Sequence, residues 1–235
     1  MIKIENVEVV GWDAAIRGMR NPMNSWEKSD SYFLDYNGDM YDICGNHAPF
    51  YGDDNGNRDF IGKKDLDLMT RLRNAGTDHR KFMRMITIYV DITAPFYWWK
   101  EFDSYKVGAV ANSCSTMHKI HAKEFTLDDF SCEHLITTEP IPSRVYSAMD
   151  MMQATIENMN MFRELYLETK DKKYWWQMIQ LLPSSYNQRR TVMLNYEVLA
   201  NIYKSRKNHK LDEWHTFCNW IESLPYSELI TGKES

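Results

Sequence analysis

The stretch from Ser147 onward constrains the fold most, because its apolar residues recur at helical spacing with few interruptions. The pattern predicts helices over residues 148–168, 172–181, 187–207 and 211–223. The breaks fall at Pro183-Ser184-Ser185, at Lys207-Asn208 and at Pro225, which are residues that end helices or form turns. The second half of the chain is therefore predicted to consist of long helices.

The first half of the chain contains the segments that favour strands. Residues 2–10 alternate apolar and polar side chains, and residues 85–92 are rich in β-branched and aromatic side chains. Short helices are predicted over Trp12–Met19, over Asp65–Asn74, and after Pro95, where Phe96, Trp99 and Phe102 would share a buried face. Short strands early and long helices late predict an α+β fold, with a small sheet packed against the C-terminal helices.

We expect a single domain over residues 1–235. Residues 36–59 are rich in Asn, Asp and Gly and are predicted to form a long exposed loop, and residues 226–235 are predicted to form a tail. The run Asp53-x-Asn55-x-Asn57 resembles the start of a calcium loop, but Arg58 and Lys64 stand where such a loop needs Gly and Glu. A turn-rich loop is the better interpretation of this run.

The composition excludes several classes of protein. With 43% hydrophobic and 26% charged residues, the chain is neither disordered nor of low complexity. No run of about 18 apolar residues is present, so no transmembrane helix is expected. The N-terminus lacks the layout of a signal peptide, which predicts a cytoplasmic protein whose four cysteines are free thiols.

The charge is unevenly distributed. Residues 170–210 hold nine Lys or Arg and two acids, so with a net charge of −5 overall the rest of the chain carries −12. An acidic body argues against a nucleic-acid partner, whereas a local basic segment suits a small phosphorylated ligand. A solvated helix face is the alternative explanation of the basic segment.

Two further patterns are candidate sites. The first comprises side chains suited to zinc, but its spacing matches no standard site, so no metal is predicted; its members are Cys114, His118, His121, Cys132 and His134. The second comprises Trp98-Trp99 and Trp175-Trp176, which could stack on a base or a flavin ring. Core packing is the better interpretation of both tryptophan pairs.

Two stretches of the chain carry a family resemblance. Residues 85–95 resemble the strand and Ala-Pro helix start that precede the motif Arg-His-Arg-x-x-Ser-x-Asn-Glu-x-Ser-x-Arg-Tyr of the flavin-dependent thymidylate synthases. Ser104-Tyr105-Lys106 falls on Arg-His-Arg, and residues 112–118 fall on Asn-Glu-x-Ser-x-Arg-Tyr. Farther along, Leu182-Pro183, Asn195, Asn201 and Arg206 match the family's spacing. The resemblance covers roughly residues 72–222.

The resemblance implies a site and a reaction. Ser115 would be the catalytic residue beside a pyrimidine nucleotide, and Arg206 and Asn112 would bind the same substrate. His79, Asn201 and Lys106 would bind FAD. The family reaction converts dUMP to dTMP with NADPH and methylenetetrahydrofolate, and family members are homotetramers, so a small-molecule nucleotide and a homo-oligomer are the expected partners.

The chain departs from the family motif at residues that bind phosphate. Ser104, Tyr105 and Met117 replace motif residues, Ser113 replaces the glutamate, and Glu101 stands where a glutamine is expected. Arginine holds phosphate through two parallel bonds, which these replacements cannot reproduce. Two hypotheses follow: a flavin-dependent thymidylate synthase-like protein with altered activity, and an inactive relative that binds, sequesters or senses a nucleotide. A purely structural oligomer is a third.

Overall fold

A computed structural model describes residues 2–35, 37–47, 59–137 and 146–233. The chain forms two compact units. Unit 1 comprises residues 1–5, 91–104 and 111–191, and unit 2 comprises residues 6–90, 105–110 and 192–235. The calcium-like run Asp53–Asn57 lies outside the described residues.

The described residues contain both helices and strands. The strands are β1 (Lys3–Val10), β2 (Tyr32–Leu34), β3 (Met40–Tyr41), β4 (Asp59–Phe60), β5 (Thr87–Pro95), β6 (Val110–Ser113) and β7 (Asn187–Asn195). The helices are α1 (Trp12–Arg20), α2 (Lys63–Asn74), α3 (Phe96–Phe102), α4 (Thr116–Lys119), α5 (Ala148–Thr169), α6 (Lys172–Leu181), α7 (Tyr196–Arg206), α8 (Asp212–Glu222) and α9 (Glu228–Thr231). The α+β prediction is confirmed.

The strands form two sheets. The larger has the order β1-β5-β7-β6, and the smaller has the order β3-β2-β4 with antiparallel pairing, in which Phe33 faces Tyr41 and Tyr32 faces Phe60. Strand β5 buries every second side chain from Ile88 to Ala94, as expected of a strand with one face against a core. The predicted strands over residues 2–10 and 85–92 are therefore found, each shifted by one to three residues.

Unit 1 has its own hydrophobic core beneath the long helices. Its buried members are Ile120, Phe125, Phe130, Ile156, Met159 and Met178. Asn160 of α5 fixes the neighbouring segment, because its amide both accepts from Phe125 N at 2.8 Å and donates to Phe125 O at 2.9 Å. This two-way bond holds the chain from Ile120 to Phe130 against α5. Helix α3 buries Trp98 and Trp99 completely, which confirms core packing for that pair, whereas Trp176 is exposed.

Unit 2 is held by the buried face of α7 and by a buried ion pair. Asp65 is fully buried and accepts hydrogen bonds from Arg20 Nε at 2.7 Å, Ser29 Oγ at 2.6 Å and Ser31 Oγ at 2.7 Å. A buried carboxylate needs such partners to offset the loss of hydration. Gly11 has φ of +93°, and a Cβ there would lie 2.3 Å from Met85 O, so only glycine fits.

Three predicted segments differ from the structure. Residues 187–195 form strand β7, and the helix begins only at Tyr196. Within the predicted loop over residues 36–59, Met40–Tyr41 pairs with β2 as strand β3. Within the predicted tail, Glu228–Thr231 forms helix α9 and buries Leu229 and Ile230. Strand β7 and helix α9 are stabilised by contacts with distant segments, whereas β3 pairs with the neighbouring strand β2. The single-domain expectation stays a prediction.

Candidate functional site

Ser115 lies at the start of a short helix in unit 1. It is the N-cap of α4, and its Oγ accepts a hydrogen bond from His118 N at 3.2 Å. A serine at this position satisfies a backbone donor that would otherwise lack a partner in the first turn of the helix. The hydroxyl proton remains available to donate, and the side chain is exposed. Ser115 can therefore contact a ligand without losing its capping bond.

Ser115 lines a cavity of about 490 Å³ in unit 1, called here the Ser115 cavity. Its walls come from β5, from the start of α4, from residues 120–129 and from β7 with the residue before it. Its lining includes Cys114, Lys119, Asp128, Tyr186, Asn187 and Arg189. The volume falls within the range of about 300–1,000 Å³ that is usual for small-molecule sites. The cavity can accommodate a ligand of nucleotide size.

Buried Gln188 positions the Ser115 wall of the cavity. Its Nε2 donates to Cys114 O at 2.9 Å and to Thr116 Oγ1 at 3.1 Å, and its Oε1 accepts from Arg190 Nε at 3.0 Å. Its backbone carbonyl accepts from Trp99 Nε1 at 2.9 Å. Gln188 therefore links β7, the core of α3 and the backbone on both sides of Ser115.

An aromatic ring and a side-chain amide also line the cavity. Tyr186 packs against Phe96 and Phe130 with ring centroids 5.5 and 5.6 Å apart, and burial raises the pKa of its hydroxyl. Asn187 Oδ1 accepts from Ser131 Oγ at 3.1 Å, and its Nδ2 donates to no described residue. An apolar ring beside a free amide donor suits a planar ligand that carries carbonyl groups.

Charged residues line the same cavity. Lys123 pairs with Asp129, and Arg189 pairs with Asp91 at 2.7 Å and with Glu5 at 3.6 Å. The pKa of Arg189 is raised, mainly by its hydrogen bond to Asp91 and next by the negative charge of Asp91. Lys119 is exposed, and no ion pair joins it to any described residue. Asp128 and Asp129 also line the cavity, so Lys119 is the cation of its described lining that no ion pair engages.

The remaining predicted residue of unit 1 is Asn112. It lies on strand β6, whose four side chains are all exposed. Of the two unit 1 residues, Ser115 lines the cavity and Asn112 is not among its lining residues.

Arg206 lies in unit 2, where it is packed against aromatic rings. Its Nε donates to the hydroxyl of Tyr105 at 3.0 Å, and its guanidinium lies 5.6 Å from the Tyr105 ring centroid and 4.9 Å from that of Trp214. Tyr105 and Trp214 meet edge to face at 6.3 Å. The guanidinium is therefore engaged in an aromatic cluster within the chain.

The predicted flavin residues also lie in unit 2, and all are exposed. His79 is in the turn after α2, Lys106 follows Tyr105, and Asn201 is in α7. Within the part of the chain that the structure describes, their side chains form no hydrogen bond and no ion pair. The six predicted residues are thus divided between units, with Ser115 and Asn112 in unit 1 and the other four in unit 2.

Sequence reasoning did not identify Lys119, Gln188 and Arg189. The sequence predicts a helix over residues 187–207, so it does not indicate that Gln188 and Arg189 lie on a strand near Ser115. The sequence spacing could have indicated Lys119, because this residue follows Ser115 by four positions, which is about one helical turn.

The described residues show neither a metal-ligand cluster nor a membrane-spanning helix. Across residues 2–35, 37–47, 59–137 and 146–233, no three His, Cys, Asp or Glu side chains gather in a group that could hold a metal ion. Over the same residues, no helix is both long and apolar enough to span a membrane.

Comparisons with known proteins show the fold. No protein-family model and no curated protein matches the sequence. Among solved structures, the flavin-dependent thymidylate synthase ThyX from Helicobacter pylori, solved with FAD and dUMP, is similar with a TM-score of 0.64 at 16% identity, over 97% of this chain and 99% of that one. A second structure of that enzyme with FAD and dUMP gives a TM-score of 0.64 at 15% identity, over 99% of this chain and 98% of that one.

A UMP/dUMP methylase is also similar. PolB from Streptomyces cacaoi, bound with 5-Br dUMP, has a TM-score of 0.56 at 14% identity, over 99% of this chain and 95% of that one. The chain therefore has a ThyX-like fold, and the predicted fold class is confirmed. At these identities the likeness is one of fold, and function has to be argued from the site.

Proposed function

We propose that the chain binds a pyrimidine deoxynucleotide of the dUMP type in the Ser115 cavity. The observation that carries this proposal is that Ser115, predicted to lie beside the nucleotide, lines a cavity of about 490 Å³ together with cations, an amide and an aromatic ring. The H. pylori ThyX was solved with dUMP and PolB with 5-Br dUMP, which supports the choice of ligand.

Each part of such a nucleotide has a matching group in the cavity. The ring of Tyr186 offers an apolar face to the base, and the Asn187 Nδ2 can donate to a uracil carbonyl. The hydroxyls of Ser115 and Thr116 keep their protons, because both oxygens act as acceptors in the bonds that position them. The cations supply an attraction for the phosphate.

The residues present do not fit the diphosphate of FAD. Ser104 donates to Glu101 O at 2.7 Å, and the Tyr105 hydroxyl is the acceptor for Arg206. Arg80, next to His79, is paired with Glu197 at 2.8 Å. Lys106 is the lysine among the predicted flavin residues, and it provides a point charge without fork geometry. We therefore assign no reaction step to a flavin, and NADPH and methylenetetrahydrofolate would take part only if the family activity were retained.

This misfit favours the binding hypothesis over thymidylate synthesis. The chain would hold a nucleotide, to sequester or sense it, without the redox chemistry that a flavin supplies. The pyrimidine site and the flavin site depend on different residues, so losing one does not entail losing the other.

Alkylation of cysteine tests the nucleotide site without a mutation. Cys114 is exposed and lines the Ser115 cavity, whereas Cys44 is exposed in unit 2 and provides an internal control. Iodoacetamide labelling, followed by peptide mass spectrometry, should show that dUMP slows modification of Cys114 and leaves Cys44 unchanged. Equal labelling of Cys114 at saturating dUMP, with no heat of binding by calorimetry, would refute the proposal.

The proposed assembly is a homo-oligomer, a tetramer by the family resemblance. Helices α5 and α6 of unit 1 leave large apolar side chains exposed: Met151, Met161, Leu167, Trp176 and Leu181. Exposed apolar groups of this kind are suited to a subunit interface. The cytoplasmic location stays a prediction.

A further inference from the structure

Three cations of the described residues line the Ser115 cavity, but their charges are not equally available. Lys123 is neutralised by Asp129, which is also held in place by Thr126 N at 3.0 Å. Arg189 is held by Asp91 and Glu5. Lys119 has no acidic partner among the described residues, so of these cations it is the one whose charge no described ion pair compensates.

The backbone of Lys119 is held close to Ser115. Lys119 N donates to Ser115 O at 3.2 Å, and Lys119 O accepts from Ala122 N at 2.9 Å. The next residue, Ile120, is buried in the core of unit 1. The lysine stem therefore starts from a defined point one helical turn after Ser115, while its four-carbon chain lets the ammonium adjust to an anion.

The charge of Lys119 has a clear role if a nucleotide binds here. Met117 stands at the position where the family resemblance expects an arginine, and Arg206 is engaged with Tyr105 and Trp214. Because the first arginine is replaced by Met117 and Arg206 is engaged within the chain, a phosphate in the cavity needs another cation. Lys119 is the residue whose pairing with phosphate would cost no existing ion pair.

We infer that Lys119 is the residue that makes the Ser115 cavity select the phosphorylated nucleotide over the nucleoside. This inference rests on the proposed function. It assigns to Lys119 the phosphate recognition that the resemblance places on motif arginines, which this chain lacks. Lys119 is a specificity-determining residue, and Ser115, Asn187 and Tyr186 contact the nucleoside part.

The experiment compares dUMP with deoxyuridine by isothermal titration calorimetry, using the full chain and three variants. In Lys119→Ala, dUMP affinity should fall by roughly tenfold to a hundredfold, because a charge-assisted bond to phosphate is lost. Deoxyuridine affinity should change less than about twofold, since that ligand has no phosphate. Lys119→Arg should retain most of the dUMP affinity, and the unmodified protein should lose dUMP affinity as salt is raised.

Lys100→Ala is the matched control, because Lys100 is an exposed lysine of unit 1 that does not line the cavity. It should bind both ligands as the unmodified protein does, and thermal melting should verify that every variant is folded. If Lys119→Ala lowers the affinity for both ligands equally, or for neither, the proposed role of Lys119 is overturned. If the unmodified protein binds deoxyuridine and dUMP equally well, the inference fails while the pyrimidine site stands; if it binds neither ligand, the proposed function fails with it.

Discussion

Arg206 donates a hydrogen bond from Nε to the hydroxyl of Tyr105 at 3.0 Å, and the two residues come from positions 101 apart in the chain. Trp214 covers the same guanidinium, with 4.9 Å from Arg206 Cζ to the ring centroid. The arginine that the sequence assigns to substrate thus has a well-defined role inside unit 2. It joins the segment at Tyr105 to α7 and α8. Its role as a substrate ligand stays a prediction, and Arg206 can be tested for both roles.

We expect Arg206→Lys to lower the melting temperature. Lysine keeps the charge but loses the Nε bond and the planar stacking, at an expected cost of about 1–2 kcal/mol in the free energy of unfolding. Differential scanning calorimetry measures this change. Tyr105→Phe removes the hydroxyl alone, and the double variant should cost less than the two single changes combined, because they share one bond. Native melting of Arg206→Lys together with weakened dUMP binding would instead support the substrate role.

The purified protein should contain no flavin. Lys106 is the lysine among the predicted flavin residues, and Arg80 beside His79 is paired with Glu197, so a diphosphate finds little charge to bind. The visible absorbance of the purified protein tests this directly, and quenching of flavin fluorescence on adding FAD tests for weak binding. A yellow preparation with one flavin per chain would show that the intramolecular bonds of Tyr105 and Arg206 do not exclude the cofactor.

Gln188→Ala should destabilise unit 1 and weaken nucleotide binding together. The change removes bonds to Cys114 O and Thr116 Oγ1 and leaves buried groups without partners, at an expected cost of about 1–3 kcal/mol. Urea unfolding and dUMP calorimetry are the measurements. Gln177→Ala is the control, because the amide of Gln177 bonds the carbonyl of Lys173 in its own helix at 3.3 Å. Equal effects of the two substitutions would contradict the positioning role of Gln188.

The stability contributed by Glu222 should depend on pH. Its hydrogen bonds with Lys233 and Tyr203 lower the pKa of the Glu222 carboxyl from its ordinary value of 4.5. Because the folded pKa is depressed, the contribution is present above pH 4.5 and is lost as the pH falls through the folded value. Glu222→Gln should therefore destabilise the protein modestly at pH 7 and hardly at all once the pH is below the pKa of Glu222 in the folded protein.

Urea unfolding at a series of pH values checks this expectation. Glu157→Gln provides the comparison, because Glu157 is an exposed residue of α5 without a hydrogen bond or ion pair to the described residues. A difference between Glu222→Gln and the unmodified protein that stays constant with pH would show that the carboxylate does not contribute through its charge.

Light scattering should report a homo-oligomer at micromolar concentration. The apolar side chains exposed on α5 and α6 are expected to be covered by another copy of the chain. Met161→Lys and Trp176→Lys place charges on that surface and should shift the mass toward the monomer, while Lys100→Ala should not. A monodisperse monomer of the unmodified protein would count against the predicted assembly.

Local patterns were sufficient to predict some elements. Strand β5, helix α5 and helix α6 lie within three residues of their predicted bounds. In each segment the side chains follow a clear local pattern, and residues that start or end the element flank it. The burial of Trp98 and Trp99 also followed from helical spacing. These features depend on neighbours in the sequence.

Strand β7 and the Ser115 cavity depend on distant residues, so the sequence could not predict them. Residues 187–195 pair within the larger sheet, and this pairing outweighs the helical pattern that continues into α7. The same strand brings Gln188 and Arg189 beside Ser115, more than seventy positions away, and no periodicity records such a contact. The sequence alone determined the α+β class, most helices and the candidate Ser115. The tertiary structure decided which polar groups are paired, since folding brings Arg206 to Tyr105 and places no acid of the described residues in an ion pair with Lys119.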